Sequence, residues 1–322
     1  MSDGAQPVAA QHEDMVLVPG NPPPEGAEII WYKGEDGIRL RMLFAPPPRS
    51  RGGGARALAI VCPGRTESVE KYFEVMRDLQ ARNFALVCFD WPGQGLSDRP
   101  LKNPIRGHVT TFDTYVDALC RGLQVIADRA PATHVVVAHS MGGAISLEAM
   151  RKGRIKAALA AFSAPMWGIP ATPFLQNFAR MANRIGLSTF PARPETKGDV
   201  FAGNPFTHDE ARWGLYRRLI TAEPKLALGE PTIGWVVAAL DVCAGFFVPG
   251  ALEKLALTPM LVATATEETI VEPTAAVRLV PALPNARLLP IEGAGHEIFM
   301  ETDERRAIWF RAFDELCEKA GV

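Results

Sequence analysis

Neither sign of charge dominates this 322-residue chain: Lys and Arg number 34, Asp and Glu 36, for a net charge of −2. No basic excess argues for a nucleic-acid partner, and no acidic excess argues for a solvating tail. Cysteine is scarce, at five residues, and none are spaced as Cys-x-x-Cys. Cys62, Cys88, Cys120, Cys243 and Cys317 sit mostly in apolar runs, so the expectation is reduced, buried thiols in a cytoplasmic protein. Long unbroken apolar runs are missing too. Residues 157–179 carry no charge but are interrupted by Pro165, Pro170 and Pro173, and residues 231–252 contain Asp241, Gly245 and Pro249. A lipid-exposed helix needs about 20 unbroken apolar residues, so neither stretch reads as a span. Attachment to the inner face of a membrane from the surface stays open. Asp3, Glu13 and Asp14 occupy the first residues with no apolar stretch, so no secretory leader is read there. There is no internal repeat, no Gly-x-x-x-x-Gly-Lys loop and no His-Glu-x-x-His pair, and Gly93-Gln94-Gly95 lacks a third glycine. The expectation is therefore an activity without cofactor or metal.

What is present is an ordinary globular balance, 48% hydrophobic and 22% charged. Residues 1–27 form a Pro/Gly/Ala-rich arm expected to be flexible. Ile29 to Tyr32 and the alternating Ile38 to Phe44, with Gly34 and Asp36-Gly37 between them, predict a hairpin with one exposed face. The pattern then changes to continuous apolar runs: Leu58 to Cys62, Ala85 to Phe89, His134 to Ala138, Ala157 to Phe162 and Met260 to Ala263. Such runs are buried on both faces, as in a parallel sheet. Helix-period segments near residues 70–82, 110–129, 141–152 and 272–281 separate them. Alternating strand and helix predicts an α/β fold with helices on both faces of a mostly parallel sheet. Residues 165–250, rich in Pro, Trp, Phe and Met, break the alternation and read as an inserted cap. The core is then 28–164 and 251–322.

One segment carries chemistry. Val135-Val136-Val137-Ala138-His139-Ser140-Met141-Gly142-Gly143-Ala144 reads strand, sharp turn, helix, with small residues two before and two after the serine. This is the context of a nucleophile elbow, in which a strained turn lifts the serine hydroxyl off the sheet. A serine hydroxyl is a weak nucleophile at neutral pH and needs an imidazole base oriented by a carboxylate. In this arrangement the acid and then the histidine follow the serine along the chain. Of the six histidines, only His296 follows the last strand segment, directly after the loop Glu292-Gly293-Ala294-Gly295. The acid should follow Met260 to Ala263, where Thr264 to Glu272 contains no aspartate. Glu268 is favoured by position, with Glu267 as its rival. Backbone N–H groups must meet the charge that develops on a carbonyl oxygen during acyl transfer. The residue after the nucleophile, Met141, supplies one, and Arg65, in the Pro63-Gly64-Arg65 turn, is the candidate for the other.

These motifs resemble the α/β-hydrolase superfamily, and more narrowly its bacterial lysophospholipase and monoacylglycerol-lipase-like branch, grouped with serine aminopeptidase-like hydrolases. The resemblance rests on Gly64 to Ser68 with Lys71-Tyr72, Asp90 to Ser97, Gly107-His108-Val109, Ala138 to Ala144, Ala164 to Ile169 and Gly293 to Glu297. It covers about residues 28–318 and is weakest in the cap. It implies Ser140 as nucleophile, His296 as base and Glu268 as acid, with Arg65 and Met141 giving the oxyanion amides. Two positions depart from the family pattern: a glutamate stands where aspartate is usual, and Pro92 follows Trp91 where arginine is usual. The resemblance implies a serine hydrolase that cleaves a single-chain lipid ester, a lysophospholipid or monoacylglycerol. The alternatives are a carboxylesterase or peptidase-like hydrolase on a small substrate, and a non-catalytic binding protein. Met166, Trp167 and Phe174 in the cap are the expected acyl-chain contacts, since each buried CH₂ contributes about 0.8 kcal/mol.

Overall fold

The hairpin forms from β1 (Glu28–Lys33) and β2 (Arg39–Ala45), paired antiparallel. The five continuous apolar runs become β3 (Leu58–Cys62), β4 (Ala85–Asp90), β5 (His134–His139), β6 (Leu159–Ser163) and β7 (Met260–Ala265), and β8 (Ala286–Ile291) follows. This computed structural model describes residues 14–35, 37–48, 54–194 and 200–322. The eight strands make one sheet in the order β1-β2-β4-β3-β5-β6-β7-β8. All pairings from β4 to β8 are parallel, and β2 meets β4 antiparallel.

Alternate residues of each central strand feed two separate cores. Ile60, Val136, Phe162 and Val262 face one layer, and Val61, Val137, Ala161 and Leu261 face the other. The first layer is covered by α2 (Asp113–Val125), α3 (Met141–Arg151) and α7 (Pro273–Leu279); the second by α1 (Phe73–Ala81) and α8 (Asp303–Ala320). Burial on both faces is what an uninterrupted apolar strand requires.

Between β6 and β7 lie α4 (Pro173–Ala182), α5 (Glu210–Ala222) and α6 (Ile233–Phe246). Each begins at a side-chain cap: Thr172, Asp209 and Thr232 accept from the N–H of Leu175, Arg212 and Trp235. The predicted cap is closely joined to the rest. Trp235, Ala238, Ala239, Val242 and Phe246 of α6 belong to the same apolar cluster as α2 and α3.

Over residues 14–27 the arm finds hydrogen-bond partners on the core. Val16 N donates to Glu70 Oε1 (3.2 Å), Asn21 Nδ2 to the Glu70 carbonyl (2.8 Å) and Glu25 N to Gln80 Oε1 (2.8 Å). Residues 1–13 of that arm lie outside the described residues. One expectation is corrected: the hairpin lacks the expected exposed face at β2, which is an interior strand with Arg41 fully buried. Arg41 Nη2 pairs with Glu70 Oε2 at 2.9 Å, and its Nε donates to Asp90 Oδ2 at 2.7 Å. Its Nη1 donates to the Asp14 carbonyl at 2.9 Å, tying the arm to the same cation. Alternation of basic and apolar residues does not reveal this, since a buried arginine is tolerated only when its partners arrive from distant segments. Removing the cation strands two buried carboxylates. Arg41→Met is expected to lower unfolding stability by about 3–5 kcal/mol in urea titrations, and a loss under about 1 kcal/mol, the size of an exposed ion pair, would contradict this.

Candidate active site

β5 ends at His139 and α3 begins at Met141, leaving Ser140 as the single residue of the turn, at φ +50°, ψ −119°. A non-glycine residue at positive φ is strained and persists only where its surroundings over-determine it. Here they do. Ser140 N donates to the Ser163 carbonyl (3.1 Å), and the Ser140 carbonyl accepts from Gly143 N and Met166 N (both 2.9 Å). Gly142 is needed for the turn to close: a Cβ there would stand 2.0 Å from the Cys62 carbonyl oxygen.

The loops after β7 and β8 bring the other two residues to the serine. His296 Nε2 lies 2.9 Å from Ser140 Oγ, and His296 Nδ1 lies 2.6 Å from Glu268 Oε2. The second Glu268 oxygen accepts from the amides of Ile270 (2.7 Å) and Val271 (3.1 Å). Burial pushes the Glu268 carboxyl up, but His296 and the two amides outweigh it and hold the group below the usual glutamate value. Its side chain is 1% exposed. Glu267 points elsewhere: it is 58% exposed and faces His208 Nε2 at 3.2 Å. Of the two glutamates left open by the sequence, only Glu268 reaches the imidazole.

Met141 is the first residue of α3, so its N–H is among those a helix cannot satisfy internally. Arg65 lies in the turn after β3, which sits directly over the serine: a Cβ on Gly64 would be 3.1 Å from Ser140 Cβ. That turn is held from several sides. Gly64 N donates to Glu67 Oε2, Gln94 Nε2 donates to the Gly64 carbonyl (2.8 Å), and Trp91 Nε1 donates to the Pro63 carbonyl (2.9 Å).

Sequence reasoning passed over the charged group beneath the site. Glu67 is buried and accepts from Tyr72 OH at 2.6 Å. Lys71 Nζ sits between Glu67 Oε1 (3.0 Å) and Glu297 Oε1 (2.6 Å). Burial opposes ionisation of Glu67, yet Lys71, His139 and Tyr72 together hold it well below the usual carboxylate range. Lys71 therefore links the Gly64 turn to the residue next to His296. The four-residue spacing of Glu67 and Lys71 was the only local signal, and Glu297 is 226 residues from Lys71. His139 is buried beside His296, with ring centroids 4.8 Å apart. Its Nδ1 lies 3.0 Å from the Ser163 carbonyl, and burial lowers its pKa to about 4.

The three expected acyl-chain contacts separate. Met166 is next to the elbow, its N–H bonded to Ser140. Trp167 is fully buried, packed against Phe162 with centroids 5.1 Å apart, and its Nε1 donates to the Gly143 carbonyl. It seals the core in this conformation. Phe174 is 76% exposed on α4. All five cysteines are buried and unpaired. Among the described residues, no group of three or more His, Cys, Asp or Glu side chains is placed to hold a metal ion, and no helix is long and apolar enough to cross a membrane.

The family described as serine aminopeptidase, S33, matches residues 53–303. Lysophospholipase L2 of Escherichia coli K12 is 33% identical over 308 residues, covering 89% of this chain and 86% of that protein. A probable lysophospholipase L2 of Haemophilus influenzae is 28% identical over 285 residues, covering 86% and 87%. Among solved structures, a soluble variant of monoglyceride lipase from Saccharomyces cerevisiae superposes with a TM-score of 0.70 at 18% identity, covering 91% of this chain and 96% of that one. A carboxyl esterase from Bacillus coagulans does so with 0.70 at 13%, covering 90% and 99%. At these identities the two structures speak to the fold, which is that of the α/β-hydrolases.

Two predictions follow from the geometry. Glu268→Gln is expected to lower kcat about 10³–10⁴-fold, as loss of the orienting carboxylate does elsewhere, while Glu267→Gln stays within about threefold of wild type, since an exposed pair is weak. The reverse ranking of initial rates would move the acid to Glu267. The second concerns pH. His139 titrates near 4 when folded and near 6.5 in its ordinary state, so the unfolded chain binds the proton first. Its contribution to stability is complete above about pH 6.5 and is lost as pH falls toward 4. In urea titrations at pH 7 and pH 4.5, His139→Gln should lose less stability between the two pH values than wild type. An equal loss would rule out His139 as the source.

Proposed function

The chain belongs to the serine aminopeptidase, S33, family of α/β-hydrolases, and from that premise we propose that it is a serine hydrolase cleaving the ester of a single-acyl-chain lipid through an acyl-enzyme. The observation that carries the reading is the chain of contacts from Ser140 Oγ to His296 Nε2 (2.9 Å) and from His296 Nδ1 to Glu268 (2.6 Å). The substrate class is supported by the 33% identity to a lysophospholipase L2 along most of both chains.

In this mechanism Ser140 Oγ attacks the ester carbonyl as His296 Nε2 takes its proton. Glu268 holds the Nδ1–H and stabilises the imidazolium. The N–H groups of Arg65 and Met141 meet the oxyanion, a contribution that costs no reorganisation because both are fixed by the turn and the helix. As the tetrahedral intermediate collapses, the C–O bond to the glycerol side breaks and the departing alkoxide takes the proton back from His296. Water then repeats the sequence on the acyl-enzyme, with His296 first as base and then as acid, and the fatty acid leaves.

The outer face of α4 suits a substrate drawn from a lipid interface. Phe174, Leu175, Phe178 and Met181 are all more than half exposed there. Scattered apolar residues on a surface need no explanation, but four within eight positions of one short helix make a patch. Peripheral contact with a membrane is part of this reading.

The test is fatty-acid release from a lysophospholipid and a monoacylglycerol in parallel. Wild type is expected to release fatty acid, and Ser140→Ala to fall by about 10³-fold or more on both substrates. No release by wild type from either lipid, with turnover of short-chain esters or of peptide amides, would overturn the lipid reading.

A further inference from the structure

Arg65 has a side chain as well as the backbone amide discussed above, and the ion pairs of the fold leave that side chain out. Arg41 and Arg212 each meet two or more carboxylates. Among the described residues, no carboxylate lies within ion-pair distance of the Arg65 guanidinium. Its Nη1 donates to Thr66 Oγ1 (3.1 Å) and its Nη2 to the Gly229 carbonyl (2.6 Å). Its Nε is buried without a partner. The Trp235 ring of α6 lies 5.4 Å from the guanidinium carbon. Glu230 acts on Arg65 through space and is bonded to Arg193, whose positive charge opposes it.

This is an expensive place for a cation. Burial lowers its pKa to about 10, so it keeps its charge at neutral pH while losing much of its hydration. The residue as a whole is nonetheless only partly buried. Its position is equally specific. The Arg65 N–H is the candidate oxyanion donor, so the guanidinium starts from the residue that faces the ester carbonyl. It extends toward Gly107, Gly229 and Trp235, between the core turn and the start of α6. A monoacylglycerol brings no charge to this point. A lysophospholipid brings a phosphate, set off from the ester by the glycerol carbons, and guanidinium–phosphate pairs are strong and directional.

We infer that the Arg65 side chain receives the phosphate of a lysophospholipid headgroup, so that this residue selects phosphorylated monoacyl lipids over neutral ones. The inference rests on the lipid-ester reading above and goes beyond it in naming the headgroup chemistry and the residue that reads it. The phosphate would give the guanidinium the counter-charge that the fold withholds.

The experiment compares kcat/KM for 1-palmitoyl lysophosphatidylglycerol and 1-palmitoylglycerol, which share one acyl ester and differ in the phosphoglycerol group. The readout is the ratio between the two substrates, whatever the absolute rates. Wild type is expected to prefer the phosphorylated lipid. In Arg65→Met the ratio should fall about 30-fold, the size of a lost hydrogen bond to a charged group. Arg65→Lys keeps the charge without the planar fork and should lose about fivefold. It carries the same comparison if the methionine variant does not fold. An equal loss on both substrates in either variant, with a lower Tm, would show Arg65 to be a strap between the turn and the cap, and would overturn the inference. Inhibition of 1-palmitoylglycerol hydrolysis by inorganic phosphate, with no preference for the phosphorylated lipid, would mean a free-anion site and would overturn it too. Wild-type release from 1-palmitoylglycerol alone removes the headgroup assignment and leaves the lipid-ester reading standing. Release from neither lipid removes both.

Discussion

The close approach of α3 to the end of β3 is the constraint on which the site depends. Gly142 lies against the Cys62 carbonyl with no room for a side chain. The helix can start there only if the chain turns within one residue, and that residue is Ser140, at positive φ. The register of β5 beside β3, with Ala138 opposite Cys62, fixes where the turn falls. The parallel sheet, buried on both faces, makes that register rigid. The same geometry leaves the Met141 amide without an intrahelical acceptor and sets the Gly64 turn over the serine.

Buried charge then ties the loops together. Lys71 joins Glu67 beneath the Gly64 turn to Glu297 beside His296. Glu301, fully buried, accepts from the Gly295 amide and from His208 Nδ1, both at 2.8 Å. The segment between β6 and β7 adds backbone bonds: His296 N donates to the Pro205 carbonyl (3.0 Å) and Glu297 N to the Phe206 carbonyl (2.8 Å). The loop that carries the imidazole is thus fixed by the core on one side and by the inserted segment on the other. Such charges are tolerated in a protein interior only with partners, so each ion pair constrains two loops at once.

The parts of the molecule legible in the sequence are those encoded locally. Continuous apolar runs gave β3 to β7, and the small-x-Ser-x-Gly turn between an apolar run and a helix marked Ser140. His296 was reachable by chain order, and Glu268 by its place after β7. What stayed hidden is non-local. Arg41 read as one of two basic residues on an exposed face, because its partners Glu70 and Asp90 are 29 and 49 residues away. The Pro- and Gly-rich segment 14–27 gave no sign of its hydrogen bonds to Glu70 and Gln80. Trp167 and Phe174 looked alike as apolar cap residues, yet one is sealed against Phe162 and the other projects from α4. Composition names a residue's affinity for apolar surroundings, and only the tertiary fold says which surroundings it meets.

The central claim is that Ser140, activated by His296 and Glu268, carries the acyl group between two half-reactions. The most direct measurement is intact-mass and peptide mass spectrometry of the enzyme acid-quenched while it turns over a palmitoyl lysophospholipid. The account predicts a population heavier by one palmitoyl group, with the modification on the peptide containing Ser140, and none in Ser140→Ala. Sustained fatty-acid release with the label on another residue, or undiminished release by Ser140→Ala, would contradict it.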